Sequence, residues 1–190
     1  MLSISNVTDV GERILTAAAS CVVDFGIDRV TLAEVARRAR VSRPTIYRRW
    51  PDTQSLLAAL LTTRVTAVLR DVPSTGTDRT AIVERVIAVA AHLRRDDIVM
   101  AVLHSAPELA MTYIADRLGT SQHILIDAVA ADLKAAQTGG GVRPGDPRQL
   151  AAMVLLITQS TIQSAQIVED ILPTDALAAE LARVLNGYLS

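Results

Sequence analysis

Side chains that can bind nucleic acid are concentrated in one short stretch of this sequence. Guanidinium groups donate paired hydrogen bonds to guanine edges or phosphates, and hydroxyl groups reach phosphate oxygens. Pro44 adds an apolar edge that can contact a thymine methyl group. These residue types indicate a surface that contacts duplex DNA, and the alternative is a solvated basic surface without a ligand. The polar members of the stretch are Arg43, Thr45, Tyr47, Arg48 and Arg49.

Two short helices are predicted to position these side chains. Thr31, followed three residues later by Glu34, forms a capping box that starts a helix ending near Arg40. Ser42 supplies a second N-cap, and Pro44 lies in the first turn, where its missing N–H costs nothing. Two short helices joined by such a turn are the layout of a helix-turn-helix, whose second helix enters the DNA major groove.

An apolar set is placed to hold this motif from behind. Ile46 and Trp50 are four residues apart and share one face of the second helix, which is predicted over residues 43–49. Val35 and Val41 complete the set. We expect all four side chains to pack inward.

The motif extends over a longer stretch with a family likeness. Residues 26–61 read GIDRVTLAEVARRARVSRPTIYRRWPDTQSLLAALL. This stretch resembles, nearly position for position, the signature G…T…IA..AGVS.gtlY.hF.sKe.Ll of the TetR/AcrR family of bacterial repressors. The resemblance covers about a fifth of the chain. It implies an N-terminal DNA-binding domain followed by a sensor domain.

Roles for single residues also follow from the resemblance. It implies that Thr31 binds phosphate at the start of the first helix. Residues 43–45 would lie at the base edges, and Tyr47 and Arg49 on the DNA backbone or flanking bases. The complete set of candidate DNA-binding residues is Thr31, Ser42, Arg43, Pro44, Thr45, Tyr47, Arg48, Arg49 and Thr53.

Two departures from the family pattern matter, one at Thr53 and one at the pair Pro44 and Trp50. Most members have lysine just after the residue that caps the next helix, whereas this chain has Thr53 after Asp52, so one usual phosphate contact is neutral. Pro44 and Trp50 stand where glycine and phenylalanine are commoner. Proline is tolerated in a first helical turn, and tryptophan keeps an aromatic side chain in the core.

Composition favours an all-α fold. Half of the 190 residues are apolar but only 3% are aromatic, which favours helices packed through aliphatic side chains over a β-sandwich. We expect an N-terminal three-helix helix-turn-helix domain over residues 1–52. A larger helical ligand-binding and dimerisation domain is expected over residues 53–190, with about nine helices in the fold.

Caps and turn clusters predict the other boundaries. Residues 1–8 are expected to form a loose arm, and Thr8 or Asp9 to cap a helix with an apolar stripe as far as Phe25. Gly26 is expected to end it in the left-handed conformation. Thr174 is the expected cap of the last helix. The later helices are predicted over residues 53–70, 81–93, 98–104, 107–137, 147–170 and 174–189.

Charge and cysteine usage indicate the compartment. Residues 1–50 hold eight arginines and five acids, a net charge of +3 in a chain of net charge −1, as a DNA-binding surface requires. Cys21 is the single cysteine, which excludes an intramolecular disulfide and a cysteine-based zinc site. The N-terminal residues lack the pattern of a signal peptide. The uncharged residues 149–168 could span a bilayer by length, but their glutamines favour a soluble buried helix. We expect a cytoplasmic protein without a membrane partner.

The last two helices are apolar around much of their circumference, which one layer of neighbours cannot cover. A homodimer through these helices is therefore expected, with a monomer that buries both as the alternative. The family resemblance implies a four-helix bundle between two copies. Two recognition helices would then meet successive major grooves of a palindromic operator, about 34 Å apart.

The sequence lacks the common catalytic motifs. The sequence contains no P-loop, G-x-S-x-G, H-E-x-x-H or strand-linked G-x-G-x-x-G motif, and no cofactor is expected. His123 and Asp127 have the spacing of a metal pair, but a hydrogen-bonded or half-exposed histidine is commoner. Candidate polar contacts in a mostly aliphatic ligand pocket are His104, Tyr113, His123, Gln159 and Gln163. Equally, the glutamines could form hydrogen bonds across the dimer interface.

These patterns together predict a dimeric transcriptional regulator, a repressor released by a small, largely apolar ligand that the sequence does not identify. An activator has the same sequence pattern, because the difference depends on where the DNA site lies relative to a promoter. The alternative is an all-helical small-molecule-binding protein or enzyme that keeps a vestigial helix-turn-helix. DNA affinity that falls with salt concentration distinguishes the first from the second.

Overall fold

The computed structural model describes residues 4–105 and 118–190, and within them it contains nine α-helices, two 3₁₀ helices and no β-strand. The all-α prediction is confirmed. The α-helices are α1 (Ile4–Phe25), α2 (Leu32–Ala39), α3 (Arg43–Tyr47), α4 (Thr53–Asp71), α5 (Arg79–Arg94), α6 (Asp97–Ser105), α7 (Thr120–Thr138), α8 (Pro147–Ser164) and α9 (Thr174–Leu189).

The described residues form two compact units. The first contains residues 4–64 and 96–105, and the second contains residues 65–95 and 120–190. Helix α4 therefore begins in the first unit, and its residues from Val65 onward belong to the second. The functional division after residue 52 stays a prediction.

Helix α1 begins earlier than its sequence caps indicate. It starts at Ile4, so the loose arm expected over residues 1–8 is wrong from that residue onward. Ile4 and Val7 extend the three- and four-residue apolar spacing that continues at Val10 and Ile14. The helical pattern therefore runs through Thr8 and Asp9 instead of starting after them. Ile14 is fully buried in the core of the first unit.

The end of α1 differs from expectation in two details. Gly26 has the expected positive φ of 78°, but its ψ of 157° is extended and not left-handed helical. Phe25, expected in the apolar stripe, is 42% exposed. The Arg38 guanidinium lies 5.0 Å from the centroid of its ring, so a cation–π contact replaces burial. Cys21 is fully buried as expected, and desolvation raises the pKa of its thiol.

Four helices of the second unit, α5, α7, α8 and α9, pack around an aliphatic core. Fully or almost fully buried members are Ile82 and Val83 of α5, Leu133 of α7, Val154 of α8, and Leu185 and Leu189 of α9. On each helix the apolar residues recur at three- and four-residue spacing, so each helix buries one apolar stripe in this core.

Helix boundaries in the second unit largely agree with the sequence, apart from the end of α8, the cap of α9 and the start of α7. Helix α8 ends at Ser164 and continues as a 3₁₀ helix over Ala165–Val168, where an α-helix as far as residue 170 was expected. Thr174 is the first residue of α9 rather than its cap, because Pro173 occupies the cap position without a side-chain hydrogen bond. Of the helix predicted over residues 107–137, residues 106–117 lie outside the described part, and α7 begins at Thr120.

The stretch Pro147–Val168 is long and apolar enough to cross a membrane by length and composition, and 22% of it is buried. Among the described residues it is the one helix that meets this criterion. Core helices of soluble proteins also meet this criterion.

An ion pair joins two helices of the second unit. Arg85 of α5 binds Asp132 of α7 through Nη1 and donates from Nε to the Val72 carbonyl. The Arg85 and Asp132 side chains are only 15% and 17% exposed. Removal of the arginine therefore leaves a half-buried carboxylate and a carbonyl without their partners.

We expect Arg85→Ala to lower the free energy of unfolding by about 2–4 kcal/mol, since it breaks a half-buried pair. Arg183→Ala is the matched control, because Arg183 pairs with Glu180 at the surface, where such pairs contribute about 0–1 kcal/mol. Urea denaturation measures both. Equal losses would contradict the structural role of Arg85.

Candidate nucleic-acid interface

Helix α2 is capped and closed by the residues that the sequence indicates. The Thr31 hydroxyl accepts a hydrogen bond from the Glu34 amide at 3.2 Å. The Glu34 carboxylate does not complete the capping box, because it binds Arg37 at 2.6 Å instead, and this hydrogen bond holds the pKa of Glu34 below its ordinary value. Arg40 follows α2 in the left-handed conformation, with φ 55°.

Helix α3 is short and is held at both ends. The Ser42 hydroxyl accepts from the Thr45 amide at 3.3 Å, and the hydroxyls of Ser42 and Thr45 lie 2.7 Å apart. Ile46 is fully buried in the core of the first unit. The Trp50 amide donates to the Ile46 carbonyl at 2.9 Å, and its half-buried side chain packs on the same core. Helix α3 therefore has a fixed orientation despite spanning only five residues.

The structure ends α3 earlier than the sequence predicts. The helix stops at Tyr47, so Arg48 and Arg49 follow its end instead of forming its last turn. The Arg49 amide donates to the Ile46 carbonyl, a tighter bond than the α-helical pattern. Pro51 follows Trp50, and the residue before a proline disfavours the α-helical conformation, which favours an end of the helix before Trp50.

Most of the candidate DNA-binding residues lie at the surface of this unit. Thr31, Ser42, Arg43, Pro44, Tyr47 and Arg48 are exposed, whereas Thr45, Arg49 and Thr53 are half-buried. Burial of Ile46 places the exposed side chains of α3 on the side of the helix away from the core. The contact of each residue with DNA stays a prediction.

Ion pairing separates the arginines of the motif into two groups. On α2, Arg37 binds Glu34 and Arg38 binds Asp24, so their charges are largely neutralised. On and after α3, the side chains of Arg43 and Arg48 have no hydrogen-bond or ion-pair partner within the described ranges. The positive charge available to an external anion is therefore concentrated at α3.

Arg49 lies against the first helix. Its Nη1 would be 2.8 Å from a Cβ atom at Gly11, so only glycine leaves room for the guanidinium in this position. Gly11 lies inside α1, where glycine is less favourable than alanine by about 0.8–1 kcal/mol. Sequence reasoning missed this residue, and its one signal was a glycine in the interior of a predicted helix.

Helix α4 begins with a strong cap. Asp52 accepts from the Ser55 amide at 2.7 Å and from the Ser55 hydroxyl at 2.8 Å, and these hydrogen bonds lower the pKa of Asp52. Thr53 is the first residue of α4 and is half-buried. This geometry offers a hydroxyl at the position where the family pattern has a lysine.

The structure brings few of the sequence-predicted ligand residues together. Gln159 accepts a hydrogen bond from Gln122 Nε2 at 2.7 Å, and Gln122, which the sequence did not single out, is 7% exposed. His123 is exposed, with Arg148 Nη2 3.5 Å from its Nδ1. Gln163 is half-buried. Tyr113 and the side chain of His104 lie outside the described residues.

Arg148 lies beside His123 and Asp127, the two residues with the spacing of a metal pair. Arg148 Nη2 lies 3.3 Å from Asp127 Oδ1. Across residues 10–102 and 118–190, no three His, Cys, Asp or Glu side chains are grouped as a metal would require. The role of His123 and Gln159 in ligand binding stays a prediction.

The capped helix pair, its buried Ile46 and its exposed arginines define a helix-turn-helix DNA-binding protein. The family model described as "Bacterial regulatory proteins, tetR family" matches residues 14–60. The chain is 63% identical over its whole length, and over the whole relative, to the HTH-type transcriptional regulator Mb2274c of Mycobacterium bovis. The chain therefore belongs to the TetR family of transcriptional regulators.

Solved structures show the same fold. The transcriptional repressor QsdR of R. erythropolis matches with a TM-score of 0.72 and 17% identity, covering 95% of this chain and 94% of that one. RolR in complex with resorcinol matches with a TM-score of 0.71 and 16% identity, covering 99% and 91%. The relatives and these structures are regulators and not enzymes, in agreement with the lack of catalytic motifs.

Arg43→Ala is expected to weaken binding to a specific site by about 1–3 kcal/mol and to relax base preference, because an exposed, unpaired guanidinium is lost. Fluorescence anisotropy on specific and scrambled duplexes measures both effects. Arg37→Ala is the control, since that charge is already paired with Glu34. Equal losses for the two variants would contradict the assignment of α3 as the recognition helix.

Gly11→Ala is expected to keep the fold, because the atom it meets is the end of a flexible side chain, and to weaken binding to all DNA sequences by displacing Arg49. The slope of log affinity against log salt should flatten by about one unit. Arg49→Ala should give the same slope, and the double variant no further loss. An additional loss in the double variant would show that Gly11 affects DNA binding independently of Arg49.

Proposed function

We propose that this TetR-family regulator is a dimeric repressor that binds a palindromic operator and is released by a small, largely apolar ligand. The observation that carries the DNA-binding part is the contrast in charge pairing within the motif. Arg37 and Arg38 are paired on α2, whereas Arg43 and Arg48 are exposed at a helix whose other side is anchored by Ile46. Such a helix suits insertion into a major groove.

The dimer part is supported by apolar side chains left at the surface of α8 and α9. Met153 and Leu156 of α8 are 42% and 55% exposed, and Val184 of α9 is 51% exposed. Leu156 is two residues beyond the buried Val154, which places it on the opposite side of the helix. A second copy of the chain covers this face in the proposed dimer, as TetR-family regulators act as dimers.

Release by a ligand is supported by chain connectivity. Helix α4 contributes residues to both compact units, so a change in the second unit that moves α4 changes the spacing of the two recognition helices. A coupling free energy of about 1–3 kcal/mol lowers operator affinity roughly 5- to 150-fold. The fold neighbour RolR is described in complex with resorcinol, a small molecule.

The proposal includes a cytoplasmic location. A regulator that binds genomic DNA works in the cytoplasm. Cys21 is fully buried and the burial raises the pKa of its thiol, so it does not act as an exposed redox sensor. No cofactor is required for operator binding.

Selection of random duplex DNA on the purified protein near physiological salt tests the proposal. We expect enrichment of an inverted repeat whose half-sites are about one helical turn apart. An Arg43→Ala/Arg48→Ala double variant, which should stay folded because both side chains are exposed, is expected to enrich nothing. No enrichment by the folded, dimeric wild-type protein would overturn operator binding and favour a vestigial motif.

A further inference from the structure

A cavity of about 260 Å³ lies inside the second unit, between the last turns of α5, the end of α8 and the start of α9. Its walls are mainly aliphatic, with Ile87, Ile162, Leu177 and Leu181 as the larger contributors. Alanines of α5 and α9 leave the space between these side chains open. The volume is just below the range of about 300–1,000 Å³ typical of ligand pockets, so the cavity suits a small molecule.

The described charged groups that line this cavity are both positive. Arg94 and Arg95 both line it, together with Thr161 and Thr174. The Thr161 hydroxyl already donates to the Ile157 carbonyl at 2.8 Å. Within the described part of the chain, the lining therefore contains two guanidinium groups and no carboxylate.

Arg94 differs from the other half-buried arginines of the same unit, and Arg95 beside it is exposed. Arg85 is paired with Asp132, and Arg143 donates to the Tyr188 carbonyl and lies over its ring. Arg94 is also half-buried, yet within the described ranges neither it nor Arg95 has an ion-pair or hydrogen-bond partner for its side chain. A half-buried cation beside an apolar cavity is stabilised by an anion.

The start of α9 adds to the same field. Thr174 is the first residue of this 16-residue helix, and Pro173 at the cap position supplies no side-chain hydrogen bond to its free amides. The amino end of a helix carries a partial positive charge, and its open amides donate hydrogen bonds. The first turn of α9 also contains the acidic Asp175, so the two arginines and not the helix start supply the net positive charge beside this aliphatic space.

We propose that this cavity binds a small amphipathic anion, a short aliphatic chain with one carboxylate or similar head group held by Arg94 and Arg95. The aliphatic part fills the space between α5, α8 and α9. This inference deepens the proposed function, on which its consequence for DNA binding rests, by naming the class of the releasing ligand. His123, Gln159 and Gln163, the sequence-suggested ligand residues whose side chains the structure describes, do not line this cavity.

Isothermal titration calorimetry on the full chain tests the site without DNA. Octanoate is the probe, and octan-1-ol and octylammonium are matched neutral and cationic probes. We expect saturable binding of one octanoate per chain, at least about tenfold weaker binding of the alcohol because charge-assisted hydrogen bonds are lost, and none of the ammonium. Equal binding of octanoate and octan-1-ol would overturn the anion class.

Variants locate the bound head group. Arg94→Gln should weaken octanoate binding about tenfold or more while leaving the fold intact, because this side chain has no partner to lose. Arg183→Gln, on α9 but outside the cavity lining, should bind octanoate like the wild type. Ala178→Phe, which fills the cavity, should abolish binding. Equal effects of Arg94→Gln and Arg183→Gln, or no saturable binding at all, would overturn the proposal.

Operator affinity with and without octanoate separates this proposal from the function on which it builds. Octanoate binding that depends on Arg94 and weakens operator binding supports both. Octanoate binding that depends on Arg94 without an effect on DNA supports the cavity assignment and contradicts ligand release by this class. Intact operator binding with no octanoate binding overturns the cavity proposal alone.

Discussion

Burial of Ile46 is the contact on which the DNA-binding unit depends. Helix α3 spans five residues, too few to be stable in isolation, since helix nucleation is unfavourable. Its conformation comes from the Ser42 cap and from the fully buried Ile46 side chain in the core of the first unit. With this side chain fixed in the core, Arg43 of the same helix and Arg48 just after its end are held exposed at the surface. Core packing and the presentation of charge are therefore two results of one constraint.

The sequence predicted some helix boundaries correctly and missed others, at starts such as that of α1 as well as at ends. Ser42 and Asp52 cap their helices as expected, because an N-cap is a local hydrogen bond between a side chain and the next turn. The end of α3 at Tyr47 and the end of α8 at Ser164 were missed. In both cases the chain continues in a tighter turn, as i to i+3 hydrogen bonding after α3 and as a 3₁₀ helix after α8. The side-chain pattern in sequence does not distinguish such a turn from a further turn of α-helix.

The site could be predicted in its position but not in its detail. Motif spacing located the recognition helix, yet all arginines of the motif look alike in sequence. Only the fold shows that Arg38 is engaged by Asp24, fourteen residues earlier in the chain, and that Arg49 lies against Gly11. The hydrogen bond from Gln122 to Gln159 likewise joins residues 37 positions apart. Pairings across such separations are set by helix packing, for which a single sequence carries no direct pattern.

The turn between α2 and α3 contains a residue that most proteins would replace by glycine. Arg40 has φ 55° and ψ 45°, a conformation that disfavours a residue with a Cβ atom by about 1–2 kcal/mol. The family signature has glycine at this position, in the segment AGVS, where this chain reads ARVS. The arginine adds an exposed cation to the surface beside the recognition helix. Replacement of Arg40 by glycine would remove the backbone strain and the exposed cation at once, so one side chain sets both the stability of the turn and the charge of this surface.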